Sequence, residues 1–256
     1  MTLTKFYIFL AIMTLVAIIV FFALFRVNAG YGLFVSKKWG KTVSNRAGWI
    51  IMEAPVFIAM AVLWILSTRR FSPTPLVFFL LFEAHYLQRS FIFPSLLRSN
   101  SPMPLSIIAM GITFNVLNAL MQGGWIFYLS PETLYTVEWL RSPQFIAGTI
   151  MFVGGMSINI QSDQIIRDLR HGPEDRRHYI PYGGMFRYIS SANYFGELVE
   201  WIGFAVLTWS WSGAVFAFWT FANLAPRAAA IRKHYEEEFG DEFRKLKRKR
   251  ILPFIY

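Results

Sequence analysis

From Phe6 to Phe25 the chain runs twenty residues without a charge. About 20 apolar residues carry a helix across a bilayer, and within hydrocarbon only helices and closed barrels satisfy their own backbone. This run is too long for the apolar region of a signal peptide, and Val27–Tyr31 offers only a weak cleavage site, so it is read as a retained span. With six further stretches, the expected spans are roughly 5–25, 47–66, 75–94, 105–128, 143–161, 194–210 and 212–230. The last two are divided at Ser210–Gly213, because 194–230 is too long for one crossing. The fold class follows: an all-α membrane protein, one domain over residues 1–256, with seven transmembrane helices. Composition agrees, since only 16% of residues are charged against about 25% in soluble domains.

The basic residues orient the bundle. Segments 26–46, 95–104, 162–193 and the tail from Arg227 hold five, one, five and nine Lys or Arg, and with seven spans all four fall on one side. Only Lys5, Arg69, Arg70 and Arg141 fall opposite, while Arg89 lies within a span. Twenty against four predicts a cytosolic C-terminus and an outside N-terminus. The net charge of +10 thus points to anionic membrane lipid rather than nucleic acid. The stretch 232–250 is expected to form an amphipathic helix on the cytosolic surface. With no cysteine, thiolate chemistry and Cys-ligated metals are excluded. His85, His171, His178 and His234 lack metal-ligand spacing, so no metal is expected.

Ionisable residues inside spans mark sites, because hydrocarbon charges heavily for them. Four groups stand out. Glu53 opens the second span within WIIMEAP. Glu83, His85, Tyr86 and Arg89 share the third span, with Tyr86 and Arg89 on one helical face. Asn159, Asp163, Arg167 and Arg170, spaced four, four and three, form a stripe running out of the fifth span. Asn193, Glu197 and Glu200 lie on one face at the start of the sixth, downstream of Gly183-Gly184. Each has a plainer reading as a helix-locking ion pair, a packed aromatic or a snorkelling arginine. No G-x-G-x-x-G, Walker loop or H-E-x-x-H occurs. A nucleotide would therefore need loops and span ends, with Arg167, Arg170, Arg187 and Arg227 as phosphate clamps.

Three longer motifs carry a resemblance: GMSINIQSDQIIRDLR (155–170), YIPYGGMFRYISSANYFGELVEWIGFA (179–205) and the ending from Tyr235, YEEEFGDEFRKLKRKRILPFIY. WIIMEAP (49–55) and HYLQRSFIFPSLLR (85–98) accompany them in order. Over about residues 45–256 the chain resembles the steroid 5α-reductase family. The resemblance implies a seven-span bundle, with NADPH entering from the cytosolic side and loops and tail completing its pocket. It implies hydride transfer to carbon 5 of a 3-oxo-Δ4-steroid and enolate character at the 3-oxygen. Glu53 and Tyr86 match the pair that hydrogen-bonds the steroid ketone. Asn159, Asp163, Arg170, Tyr179, Asn193, Glu197, Arg227 and Tyr235 match the cofactor pocket, joined by Arg89, Arg167 and Glu200. Met52 stands where some members carry glutamine.

The residues themselves suit such chemistry: a phenol and a neutral carboxyl in an apolar cavity can both donate to an oxygen that gains charge. Other readings stay open. A reductase of an enoyl thioester or polyprenol would keep the cofactor residues and change the pocket. An isoprenylcysteine-type methyltransferase would bind S-adenosylmethionine, and a transporter or scaffold would use the buried charges for permeation or locking. A monomer is the simplest expectation.

Overall fold

The computed structural model describes residues 1–98, 101–172, 175 and 177–256, with the side chain of Lys37 excepted. Helix α1 (Leu3–Leu24) begins at Thr2, whose hydroxyl accepts from the Lys5 N–H, and exposes Ile8, Ile12, Leu15, Ile19 and Phe22 as a hydrocarbon-facing surface. A short strand β1 (Thr42–Ser44) leads to α2 (Asn45–Leu66). Helix α3 (Pro73–Leu87) passes through a wide π turn at Gln88–Ile92 into α4 (Phe93–Leu96). Pro94 has no N–H to return to the carbonyl four residues back, and the Phe93 N–H reaches Gln88 instead, so the turn widens here. After β2 (Pro102–Pro104), α5 (Leu105–Gly123) ends in a second π turn, Gly124–Leu129. Helices α6 (Pro143–Asp168), α7 (Ala192–Thr208), α8 (Trp211–Phe239) and α9 (Asp241–Arg244) follow.

Six of these helical segments are long and apolar enough to cross a membrane: Leu3–Leu24, Asn45–Leu66, Pro73–Leu96, Leu105–Leu129, Pro143–Asp168 and Trp211–Phe239. The remaining expected crossing, α7, is 17 residues long. The break before α8 falls at Trp209, in left-handed conformation, and at Ser210, whose hydroxyl accepts from the Gly213 N–H at 3.1 Å. That is slightly earlier than the expected Ser210–Gly213.

Helices α6 and α7 approach until their backbones touch. A methyl at Gly155 would lie 2.7 Å from the Glu200 Cα, and one at Gly196 would lie 2.9 Å from the Asn159 Cα. Gly148 and Gly203 repeat the arrangement seven residues away on each helix. Small residues let helices meet this closely in lipid, where apolar burial alone drives no association.

The basic segments gather at one end. Strands β1 and β2 pair antiparallel, Val43 opposite Met103, which ties segment 26–46 to 95–104. Arg46 donates to the Leu97 carbonyl, Arg98 pairs with Asp168 at 3.1 Å, and Arg227 donates to the Tyr31 carbonyl at 3.0 Å. At the opposite end Arg69 donates to Ser130, and the Thr74 hydroxyl to the Thr136 carbonyl.

The tail differs from its expectation. Residues 232–239 continue α8 rather than starting a surface helix, Gly240 (φ 54) ends it, and α9 is one short turn. Beyond it the chain folds back. Lys249 bridges Ile189 in parallel, Arg248 donates to the Pro181 carbonyl at 2.7 Å, and Phe243, Arg248 and Ile251 are buried. Apolar residues spaced to cover a neighbouring loop, not a lipid surface, explain why 232–250 does not form one amphipathic helix.

Candidate active site

The π turn of α3 aims Arg89 into the bundle. Its guanidinium meets the Asp163 carboxylate at 3.2 Å and that of Glu197 at 3.9 Å, and it lies over the rings of Trp49 (4.6 Å) and Phe93 (4.5 Å). One arginine therefore joins α3, α6 and α7. The close approach of α6 and α7 sets the rest: Asn159 donates its amide to the Asn193 carbonyl at 2.9 Å, and Asn193 donates to Asp163 at 3.1 Å. Asn159 and Asp163 are buried. Five residues expected at a cofactor pocket (Asn159, Asp163, Asn193, Glu197 and Arg89) thus form one connected polar cluster.

Glu53 and Tyr86 lie close to this cluster and to each other. Glu53 feels the charges of Arg89, Glu197 and His85, and the Tyr86 hydroxyl those of Glu53, Glu197 and Glu200. Both are braced from α5 by residues that the sequence reading passed over. Asn115 donates to a Glu53 carboxyl oxygen at 3.1 Å and to the Met52 carbonyl at 2.8 Å. Asn118 donates to the Tyr86 oxygen at 2.9 Å, and Gln122 donates to Asn118 at 3.3 Å and to the Ser212 carbonyl at 3.0 Å. Three amides spaced three and four apart in an apolar span were a signal of the same kind as the buried charges. Each buried amide must find partners, so Asn115, Asn118 and Gln122 together predict a polar interior face on α5.

Glu200 lies apart from the cofactor cluster. It is fully buried and meets His85 Nδ1 at 2.8 Å, with Trp201 against the His85 ring (centroids 4.6 Å apart). Glu83, grouped with His85 and Tyr86 on sequence, is buried with neither carboxyl oxygen bonded among the described residues.

A second group of expected residues sits at the basic end. Arg227 donates to the Tyr194 hydroxyl at 2.8 Å and packs 3.9 Å from the Tyr31 ring centroid, which makes Tyr31 and Tyr194 further neighbours of the site. Arg170 donates to the Asp175 carbonyl. The Tyr179 hydroxyl donates to the Asp175 carboxylate at 2.9 Å. Desolvation disfavours the Asp175 charge. The His171 and Arg177 N–H groups and the Tyr179 hydroxyl outweigh it, and hold the carboxyl well below the usual carboxylate range. Tyr235 packs on Phe243, with ring centroids 5.3 Å apart, and Arg167 is half-buried at the end of α6. Gly183 (φ 94) and Gly184 (φ 47) hold a conformation that L side chains rarely adopt. A methyl on Gly184 would lie 3.0 Å from the Gln161 amide oxygen.

This constellation has matches. The family described as 3-oxo-5-alpha-steroid 4-dehydrogenase matches residues 101–256. The chain is 35% identical to a protein of Gossypium hirsutum named steroid 5-alpha-reductase DET2, over 99% of this chain and 98% of that one. The protein of that name from Arabidopsis thaliana is 38% identical over 90% of this chain and 88% of its own. The 3-oxo-5-alpha-steroid 4-dehydrogenase 1 of Homo sapiens is also 38% identical, over 90% and 88%.

Proposed function

The chain belongs to the 3-oxo-5-alpha-steroid 4-dehydrogenase family of oxidoreductases, and from that premise we propose that it reduces the Δ4 double bond of 3-oxo-Δ4-steroids to 5α-dihydrosteroids. The observation that carries this reading is the pairing of Glu53 and Tyr86 with α5 amides beside the Arg89 cluster.

Hydrogen-bond direction decides what the pair can do. Asn118 donates to the Tyr86 oxygen, so the phenol's own proton remains free to donate to a ligand. Asn115 likewise occupies one oxygen of Glu53, which leaves the other able to carry a proton when the acid is neutral. Two donors meeting at the 3-ketone stabilise the negative charge that gathers there as carbon 5 is reduced, worth about 10²–10³ in rate for each. His85 and Glu200 buttress Tyr86 from behind.

The donor set suits NADPH. Asn159 and Asn193 offer amides for a carboxamide, and Arg170, Arg227 and Arg167 offer guanidinium groups for phosphates. Asp163, Glu197, Tyr179 and Tyr235 would complete the pocket, and Arg89 holds its acidic members in place. When bound, the cofactor supplies the hydride. The gathering of the four basic segments at one end supports a single seven-span domain with N-terminus outside and C-terminus cytosolic, its cofactor entrance facing the cytosol. A 17-residue α7 rises about 25 Å, close to the hydrocarbon thickness of about 30 Å.

The test is turnover of testosterone or progesterone by purified protein with NADPH, followed by chromatographic identification of the 5α-dihydro product. Glu53→Gln and Tyr86→Phe are expected to depress turnover by about 10² or more while leaving NADPH binding nearly unchanged. Parental rates in both variants would remove these residues from the ketone site. Reduction of enoyl thioesters or polyprenols, without steroid turnover, would reassign the substrate.

A further inference from the structure

Outside the reductase site, three side chains from two distant parts of the sequence converge on one point. His178, five residues before the φ 94 turn of Gly183, places Nδ1 2.7 Å from Glu238 Oε2. His234, four residues before Glu238 on α8, places Nε2 2.8 Å from that same oxygen. The two imidazole nitrogens are 3.2 Å apart. Each side chain is about one-third exposed or less, at 27%, 29% and 34%.

Ordinary ion pairing accounts poorly for this arrangement. A carboxylate holding two imidazolium groups has two oxygens to offer, and spreading them keeps the cations apart. Here both rings address one oxygen, at a separation that would set two N–H groups side by side. Three lone-pair atoms facing a common centre are what a cation requires. Zinc binds imidazole nitrogen and carboxylate oxygen at about 2.0–2.2 Å, and a tetrahedral centre spaces such ligands roughly 3.3 Å apart. The observed 2.7, 2.8 and 3.2 Å need only a small outward shift.

We propose that His178, His234 and Glu238 form a three-ligand site for a divalent transition metal of the zinc class, with a fourth position open to water. Imidazole favours zinc, copper, nickel or cobalt over calcium and magnesium, which prefer all-oxygen shells. The ion would tie the segment before Gly183 to the end of α8, bringing the neighbours Tyr179 and Tyr235 under one restraint. The separation of 56 residues between His178 and His234 explains why spacing along the chain gave no metal signal.

The experiment uses full-length protein in detergent, without a polyhistidine tag and stripped with chelator, titrated with Co²⁺ alone. One equivalent per chain is expected to give the visible absorption of four- or five-coordinate cobalt, displaced by Zn²⁺. His178→Ala and His234→Ala should each abolish that spectrum, while His171→Ala, at an exposed histidine outside the cluster, should leave it intact. Acylation of the unaltered protein with diethyl pyrocarbonate, mapped by mass spectrometry, gives a readout independent of variant folding. Zn²⁺ should protect His178 and His234 at least ~10-fold relative to His171. No saturable one-to-one spectrum, a spectrum surviving either substitution, or equal protection of all three histidines would overturn the proposal. None of these outcomes depends on steroid turnover.

Discussion

Replacing Gly155 by alanine tests whether the contact between α6 and α7 sets the geometry of the site. The added methyl would begin 2.7 Å from the Glu200 Cα, whereas carbon atoms rest at about 3.5–4.0 Å. The two helices must therefore part by about 1 Å. One turn further along, that displacement stretches the Asn159–Asn193 bond from 2.9 Å and the Asn193–Asp163 bond from 3.1 Å, beyond useful range. Overpacking costs about 1–3 kcal/mol and each lost bond about 1 kcal/mol, so a destabilisation of about 3–5 kcal/mol is expected. A misplacement of about 1 Å among catalytic groups also costs on the order of 10² in rate. Gly154, next in sequence, is the control: its methyl would meet nothing within 4 Å, and Gly154→Ala should leave stability unchanged or raise it by up to about 1 kcal/mol, the helix preference of alanine over glycine. Denaturation in detergent and steroid turnover with NADPH read out both variants. Equal behaviour of Gly154→Ala and Gly155→Ala would refute the reasoning that backbone contact positions the cluster.

Two further outcomes follow from the electrostatics. Arg89→Met strands the buried Asp163 carboxylate and the half-buried Glu197 carboxylate without their cation; a loss of about 3–5 kcal/mol is expected, measured by thermal unfolding, and a stability equal to the parent's would show that Arg89 does not balance them. Because the Asp175 carboxyl is held below its unfolded value of about 3.9, its stabilisation is complete above that pH and is lost only as pH falls through the lower folded value. NADPH affinity, read by equilibrium titration, should show no step from Asp175 between about pH 5 and pH 8. Asp175→Asn should weaken affinity at every pH in that window, and a step appearing there in the parent but not in the variant would contradict the assignment.

How far the fold could be read in advance differs from element to element. The apolar runs announced where the long helices begin to within a few residues, although α6 and α8 run on past 161 and 230 to Asp168 and Phe239; a span is a local property, since twenty residues must satisfy their own backbone and face hydrocarbon, whatever surrounds them. Glu53, Tyr86, Arg89, Asp163 and Glu197 were equally visible, since a charge or phenol in such a run is costly unless partnered. The overextended reading of 232–250 as a surface helix came from charge pattern alone, which does not distinguish a lipid face from a covering for the loop at Pro181 and Ile189.

The amino-acid order by itself determined that this is a multi-pass helical protein with polar groups sunk in its spans, and its motifs determined the family. Which of those groups meet was decided only in three dimensions. Asn115 and Asn118 had no evident role until α5 lay against Glu53 and Tyr86, Glu200 turned to His85 rather than to the Arg89 cluster, and His178 reached His234. The reason is physical: the cost of burying a polar group is written in its local surroundings, while the partner that offsets it comes from another helix, and glycine-to-backbone contacts such as that of Gly155 in α6 against the α7 backbone select that partner.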